Sequence, residues 1–169
     1  MTATLPDETS LASLLGTVEE AMTGKVLALA VDTPADLAAR RLEQAAVSGA
    51  PVVGRGRVIG VVTLRDLIAP ALAAGVNAQT TGPFLRHEHH LARYRVQELM
   101  SREPVTARAD WPLARVVVVM DEAGVNRIPV VDGDGRPIGI LTRDDVLRAL
   151  AWRLRRIPPA TRGSRIEPD

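Results

Sequence analysis

Short β-branched apolar runs alternate with Ala- and Leu-rich stretches along this chain, and turn residues close each run. Pro51-Val52-Val53 and Ile128-Pro129-Val130-Val131 predict strands. A Gly-rich stretch follows each, Gly54-Arg55-Gly56 or Asp132-Gly133-Asp134-Gly135, and then a second apolar run, Val58 to Val62 or Pro137 to Leu141. Each set predicts a β-hairpin. Upstream, Asp32-Thr33-Pro34 and Asp110-Trp111-Pro112 look like helix starts with proline at the first helical position, and Thr33 with Asp36 resembles a capping box. The expected helices run over 34–47 and 112–124 and end near Gly49 and Gly124. A second helix is expected after Thr63 and after Thr142, and a short leading strand near Val26 to Leu29 and Val105 to Ala107.

The two sets are copies of one unit. At an offset of 78, Val18, Glu20, Met22, Asp32, Pro34, Ala45, Val47, Pro51, Val52 and Val53 fall on identical residues. One extra residue in the second hairpin turn moves the offset to 79, and Arg57, Ile59, Gly60, Thr63 and Asp66 then match Arg136, Ile138, Gly139, Thr142 and Asp145. A single insertion inside a Gly-rich turn is what a duplicated hairpin tolerates best, so the duplication is real. It also settles an ambiguity. Val116-Val117-Val118-Val119 reads as a strand by propensity, but its partner Ala38-Ala39-Arg40-Arg41 is strongly helical, so a helix is predicted. The boundaries are 18–70 and 96–152 for the repeats, 71–95 for a linker, 1–17 for an extension with a possible helix around Leu11 to Leu15, and 153–169 for a flexible basic tail.

Composition narrows the function classes. Net charge is +1, so nothing marks a general polyanion binder. With Phe84, Tyr94, Trp111 and Trp152 as the whole aromatic set, stacking platforms for single-stranded nucleic acid are unlikely and the core must be aliphatic. Cysteine is absent, which excludes thiolate metal sites and disulfides. Residues 1–9 lack the form of a signal peptide and no apolar stretch is long enough to span a bilayer, so a cytoplasmic protein without membrane association is expected.

A duplicated β-α-β-β-α unit with a leading hydrophobic-x-x-x-Met and a closing Gly-h-h-Thr-x-x-Asp resembles the cystathionine-β-synthase (CBS) domain family. Val18-Glu19-Glu20-Ala21-Met22 and Val96-Gln97-Glu98-Leu99-Met100 carry the opening, Gly60 to Asp66 and Gly139 to Asp145 the closing. The resemblance implies an α/β fold of two repeats packed as a pseudo-twofold pair, with two clefts between them. It also implies a homodimer, and a regulatory role in which AMP, ADP, ATP or S-adenosylmethionine is sensed on behalf of an unknown protein partner, with no cofactor required.

The closing motif suits such a ligand. Each strand ends at Thr63 or Thr142 where a helix begins, so helix N–H groups and the positive dipole end face the cleft. The threonine hydroxyl is expected to donate to a phosphate, and Asp66 or Asp145 to accept from ribose hydroxyls. Adenine is expected against Val26 to Ala28 and against Val105 and Thr106. The same Thr-x-x-Asp is also an ordinary helix cap. The copies differ at Asn126-Arg127, which replaces Ser48-Gly49, so if one cleft alone takes a phosphorylated ligand it is expected to be that of Arg127, Thr142 and Asp145. Arg143, and Arg65 in the other copy, lie beside the motif and either add charge there or belong to a solvated helix face.

Other readings stay open. His87-Glu88-His89-His90 has His-x-His spacing but no further ligand to complete a tetrahedral metal site. No nucleophile elbow, phosphate loop or dinucleotide fingerprint is present, so no catalytic residue and no enzyme is expected. The alternatives are a ligand-free dimerisation module, and an unrecognised enzyme or metal-binding protein using the linker histidines.

Overall fold

The computed structural model describes residues 15–73 and 91–156. In chain order the elements are α1 (Val18–Ala21), β1 (Leu29–Ala30), α2 (Ala35–Gln44), β2 (Gly49–Gly54), β3 (Arg57–Thr63), α3 (Leu64–Ala73), α4 (Val96–Leu99), β4 (Ser101–Arg102), α5 (Leu113–Glu122), β5 (Arg127–Val131), β6 (Pro137–Thr142) and α6 (Arg143–Leu154). This is a mixed α/β fold in which one unit is built twice. The two hairpins share a register, Val52 opposite Gly60 and Val130 opposite Gly139, and each carries an irregularity one residue later. The valine run of the second copy is helical, with Val116 buried and Val118 exposed at opposite sides of α5.

The repeats are interlocked. β1 pairs parallel with β2, but β4, from the second copy, pairs antiparallel with β3 of the first. The mirror contact is a bridge between Thr23 and Ile140, and Ala107 bridges Val130 as Leu29 pairs Val52. Leading helices cross over likewise. Val96 N donates to Thr33 O, and Val18 N to Trp111 O, at 2.9 and 3.0 Å. Val96 therefore belongs to the core of the first copy, with Leu29, Leu42, Val52 and Leu67. Val18 belongs to that of the second, with Leu113, Val116, Ile128 and Leu141. Both valines are fully buried, each worth about 1.5–3 kcal/mol of hydrophobic transfer to a core it does not share a repeat with.

Several expectations shift. Pro34 and Pro112 are the N-cap residues, extended and outside the helix, rather than its first turn. Thr33 and Asp36 form no capping box. Thr33 is buried, its N–H bound to Ala30 O, and Asp36 accepts from Arg40 one turn on at 2.6 Å. α2 stops at Gln44, well before Gly49, because Ala46 turns left-handed. Residues 26–28 are irregular, and the leading strand of the second copy is reduced to the Ala107 bridge. Arg153 and Leu154, assigned from sequence to the tail, continue α6, where Arg153 binds Glu20 of α1 at 2.5 Å. Residues 11–14, most of the linker with His87, His89 and His90, and the chain from Ile157 lie outside the described residues.

Candidate functional site

Interlocking decides how the clefts are built. Each combines the leader of one repeat with the closing motif of the other. One, of 530 Å³, is lined by Thr23, Lys25 and Val26 from the first leader and by Thr142, Arg143 and Asp145. The other, of 500 Å³, is lined by Ser101, Arg102 and Val105 and by Thr63, Arg65 and Asp66. We call them the Asp145 cleft and the Asp66 cleft. Sequence reading found the halves and missed their pairing.

Both closing motifs are capping boxes. Thr63 N and Thr63 Oγ1 donate to Asp66 Oδ2 at 2.8 and 2.7 Å, and Asp66 N donates back to Thr63 Oγ1 at 3.3 Å. Thr142 and Asp145 repeat every contact. The threonine hydroxyl hydrogen expected to meet phosphate is therefore already given to the carboxylate. The helix N–H groups are also partly used, since Leu64 N donates to Ser48 O and Arg143 N to Asn126 O, both at 3.0 Å. Outside the cap each motif has one N–H left, of Arg65 or Asp144, and a second aspartate oxygen that is not equally open in the two copies.

That second oxygen distinguishes the clefts. Arg148 binds Oδ1 of Asp145, which is buried, whereas the position equivalent to Arg148 in the first copy is Ala69. Asp66 Oδ1 has no hydrogen bond among the described residues. Cations around the Asp145 cleft are Lys25, Arg127, Arg143 and Arg148, facing Asp144 and Asp145. Around the Asp66 cleft they are Arg65, Arg102 and Arg127, facing Asp66 and Glu103.

Arg127 does not single out one cleft, as its position in sequence suggested. From the first residue of β5 its guanidinium reaches the other repeat, Nη2 donating to Ser48 Oγ at 2.8 Å, and it lines both clefts. Glycine at 49 makes room, because a Cβ there would lie 2.5 Å from Arg127 Nη1. Half-burial lowers the Arg127 pKa, and the charge of Asp66 opposes that shift. Ala28 and Thr106 line neither cleft, because the leaders have by then turned into the sheets at Leu29 and Ala107. Ser48, Lys25 and Arg148 were missed as site residues; the equivalence of Ser48 with Asn126 was the available signal for the first.

The family model for the CBS domain matches residues 18–71 and 96–151. The chain belongs to the CBS domain family. A CBS domain-containing protein of Dictyostelium discoideum is 30% identical over 148 residues, covering 84% of this chain and 96% of that protein. Among solved structures, CBSX2, a CBS-pair protein from Arabidopsis thaliana, is 30% identical with a TM-score of 0.68, covering 83% of this chain and 97% of that one. It has also been solved with AMP. The CBS domain pair of protein MJ0100, solved with 5′-methylthioadenosine and S-adenosylmethionine, is 25% identical with a TM-score of 0.63 and covers 79% of this chain and 98% of that one. Among the described residues no group of His, Cys, Asp or Glu could hold a metal ion, and no helix is long and apolar enough to cross a membrane.

Proposed function

We propose that this CBS pair is a regulatory module that binds an adenosine-containing ligand in its clefts and reports occupancy to a protein partner. The observation that carries this reading is the composition of each cleft: a ligand there touches the leader of one repeat and the helix start of the other. Occupancy then favours one relative packing of the repeats over another, to the extent that affinity differs between them. The complexes of CBSX2 with AMP and of MJ0100 with adenosine compounds support the ligand class. Adenine lies against Val26 or Val105, ribose meets Asp145 or Asp66, and the tail runs toward Arg127. A phosphate-bearing tail suits the Asp145 cleft, with Lys25, Arg143 and Arg148 at its rim; the Asp66 cleft suits an uncharged tail.

Titration calorimetry with AMP, ADP, ATP and S-adenosylmethionine tests this, alongside Asp66→Ala and Asp145→Ala. Saturable binding lost in one variant identifies the occupied cleft; no binding of any compound at millimolar concentration to folded protein ends the sensor reading.

A second reading, homodimerisation, is favoured by one observation. Leu64, Ile68 and Leu72 form an exposed stripe along α3, and Leu147 and Leu154 along α6. Positions 68 and 147 are equivalent, so both helices expose an apolar residue at the same point, a form suited to an isologous interface. Light scattering of wild type against Ile68→Glu with Leu147→Glu checks it. A mass that stays monomeric in wild type rejects the dimer, and a dimer that forms while every ligand titration stays silent favours a scaffold.

A further inference from the structure

Within the offset that relates the repeats, Gly49 is the counterpart of Arg127 and Ser48 the counterpart of Asn126. Arg127 binds Ser48 Oγ at 2.8 Å and packs where a side chain at position 49 would stand. A residue that touches its own counterpart lies on the pseudo-twofold axis. Two equivalent positions thus supply one guanidinium between them, and it lines both clefts. We propose that Arg127 is a shared anion contact that couples the clefts, so that a phosphate-bearing adenosine ligand in one weakens binding of a second such ligand in the other. The inference rests on the nucleotide reading above and goes beyond it.

The remaining cations do not replace Arg127. Lys25, Arg65, Arg102, Arg143 and Arg148 are all exposed, where water screens a charge and a single contact contributes little. Arg127 is half-buried and already partly desolvated, so its contact with a phosphate is the stronger one. Nη2 already spends one N–H on Ser48 Oγ, so a single bidentate edge is left for a phosphate, and turning it into one cleft takes it from the other. Once it turns into the Asp145 cleft, Asp66 loses the charge that faced it; once it turns into the Asp66 cleft, the Asp145 cleft loses its one half-buried cation, although Arg148 still pairs Asp145. That cleft then holds a phosphate less tightly but still accepts an uncharged adenosine, whose ribose needs only the aspartate.

Calorimetric titration of the full chain with AMP and with adenosine tests the coupling. In wild type the first AMP binds at least about tenfold tighter than the second, and adenosine fills the second cleft equally well with or without AMP in the first. Arg127→Met keeps length and removes charge; it weakens the first AMP by about 10- to 100-fold and brings the two events together, while adenosine loses far less. Arg127→Lys keeps the charge without the fork and retains part of the gap. Two equal, independent AMP events in wild type overturn the proposal while leaving the sensor reading intact, and so does an undiminished gap in Arg127→Met. If neither AMP nor adenosine binds wild type, the sensor reading has failed and the coupling falls with it.

Discussion

The sulfur of Met100 lies where a side chain on Gly60 would have to go: a Cβ at Gly60 would stand 2.5 Å from Met100 Sδ and 2.8 Å from the Ser101 carbonyl oxygen. Gly139 stands in the same relation to Met22 and Thr23, at 2.6 and 3.0 Å. Methionine and glycine, which open and close the repeat in sequence, are therefore the two halves of one contact between repeats. The glycine is needed for close approach, because the partner backbone pairs directly beside it.

Gly60→Ala and Gly139→Ala each force apart a sheet edge and the other repeat's leader, at a cost of about 1–3 kcal/mol. Gly54→Ala is the control. Its Cβ would meet only side chains, the nearest being the flexible end of Ile59 at 2.9 Å, so it loses much less. Urea unfolding of the three variants gives the ranking. Equal losses at positions 54 and 60 would show that strand propensity, not the Met–Gly contact, sets the cost.

The turn after α2 offers a gain. Ala46 has φ 53° and closes a Schellman turn, Val47 N donating to Leu42 O and Ala46 N to Glu43 O. Its counterpart in the second copy is Gly124, at φ 63° with the same two bonds. Alanine is strained in this conformation and glycine is not. Ala46→Gly should stabilise the fold by about 0.5–1 kcal/mol despite the greater entropy of the unfolded chain, whereas Gly124→Ala should destabilise it. Thermal unfolding reads both signs, and a loss of stability in Ala46→Gly contradicts the strain account.

Much of this fold was legible in the sequence because duplication doubles each weak signal. Helix α5 shows it: four consecutive valines point to a strand, and only the Ala-Ala-Arg-Arg counterpart recovers the helix that forms. Thr63, Asp66, Thr142 and Asp145 were legible as cleft residues for the same reason. Exchange of the leaders was not legible, since Val18 and Val96 look alike and periodicity is silent on which core receives which. Nor was the reach of Arg127 across the axis, because the space for it comes from Gly49, far away in sequence. The cap that Thr-x-x-Asp also spelled in sequence is formed in both copies, the threonine hydroxyls donating to the carboxylate three residues on.

Arg148 holds the Asp145 oxygen that a ribose would use, so the arginine and the ribose compete. Arg148→Ala should tighten adenosine binding at the Asp145 cleft. The pair is mostly exposed on the arginine side, so the gain is no more than about fivefold. At the Asp66 cleft, which has Ala69 in the equivalent place, Ala69→Arg should produce the opposite change. Titration with adenosine isolates the effect from any phosphate contact. Weaker adenosine binding in Arg148→Ala would mean that the arginine positions Asp145 rather than blocking it.

The longer hairpin turn of the second copy depends on one carboxylate. Asp132 Oδ1 accepts from Arg136 N at 2.8 Å and from Asp134 N at 2.9 Å. The Arg136 N–H is the main cause that holds this carboxyl below the usual carboxylate range, with the Asp134 N–H and the Arg136 charge adding to it. A lowered folded-state pKa means the contribution to stability is complete above the unfolded value of about 3.9 and is lost as pH falls through the folded one. The turn should therefore hold at neutral pH and loosen only in acid, with the Asp134 and Arg136 amides losing protection from hydrogen exchange together. Asp132→Asn keeps a carbonyl acceptor and removes the titration, so its turn should be weaker at neutral pH but indifferent to acid. NMR titration of the Asp132 carboxyl carbon and of the two amides measures all of this. A carboxyl that titrates at its ordinary value, or an Asn variant whose turn still melts in acid, would place the pH response elsewhere in the hairpin.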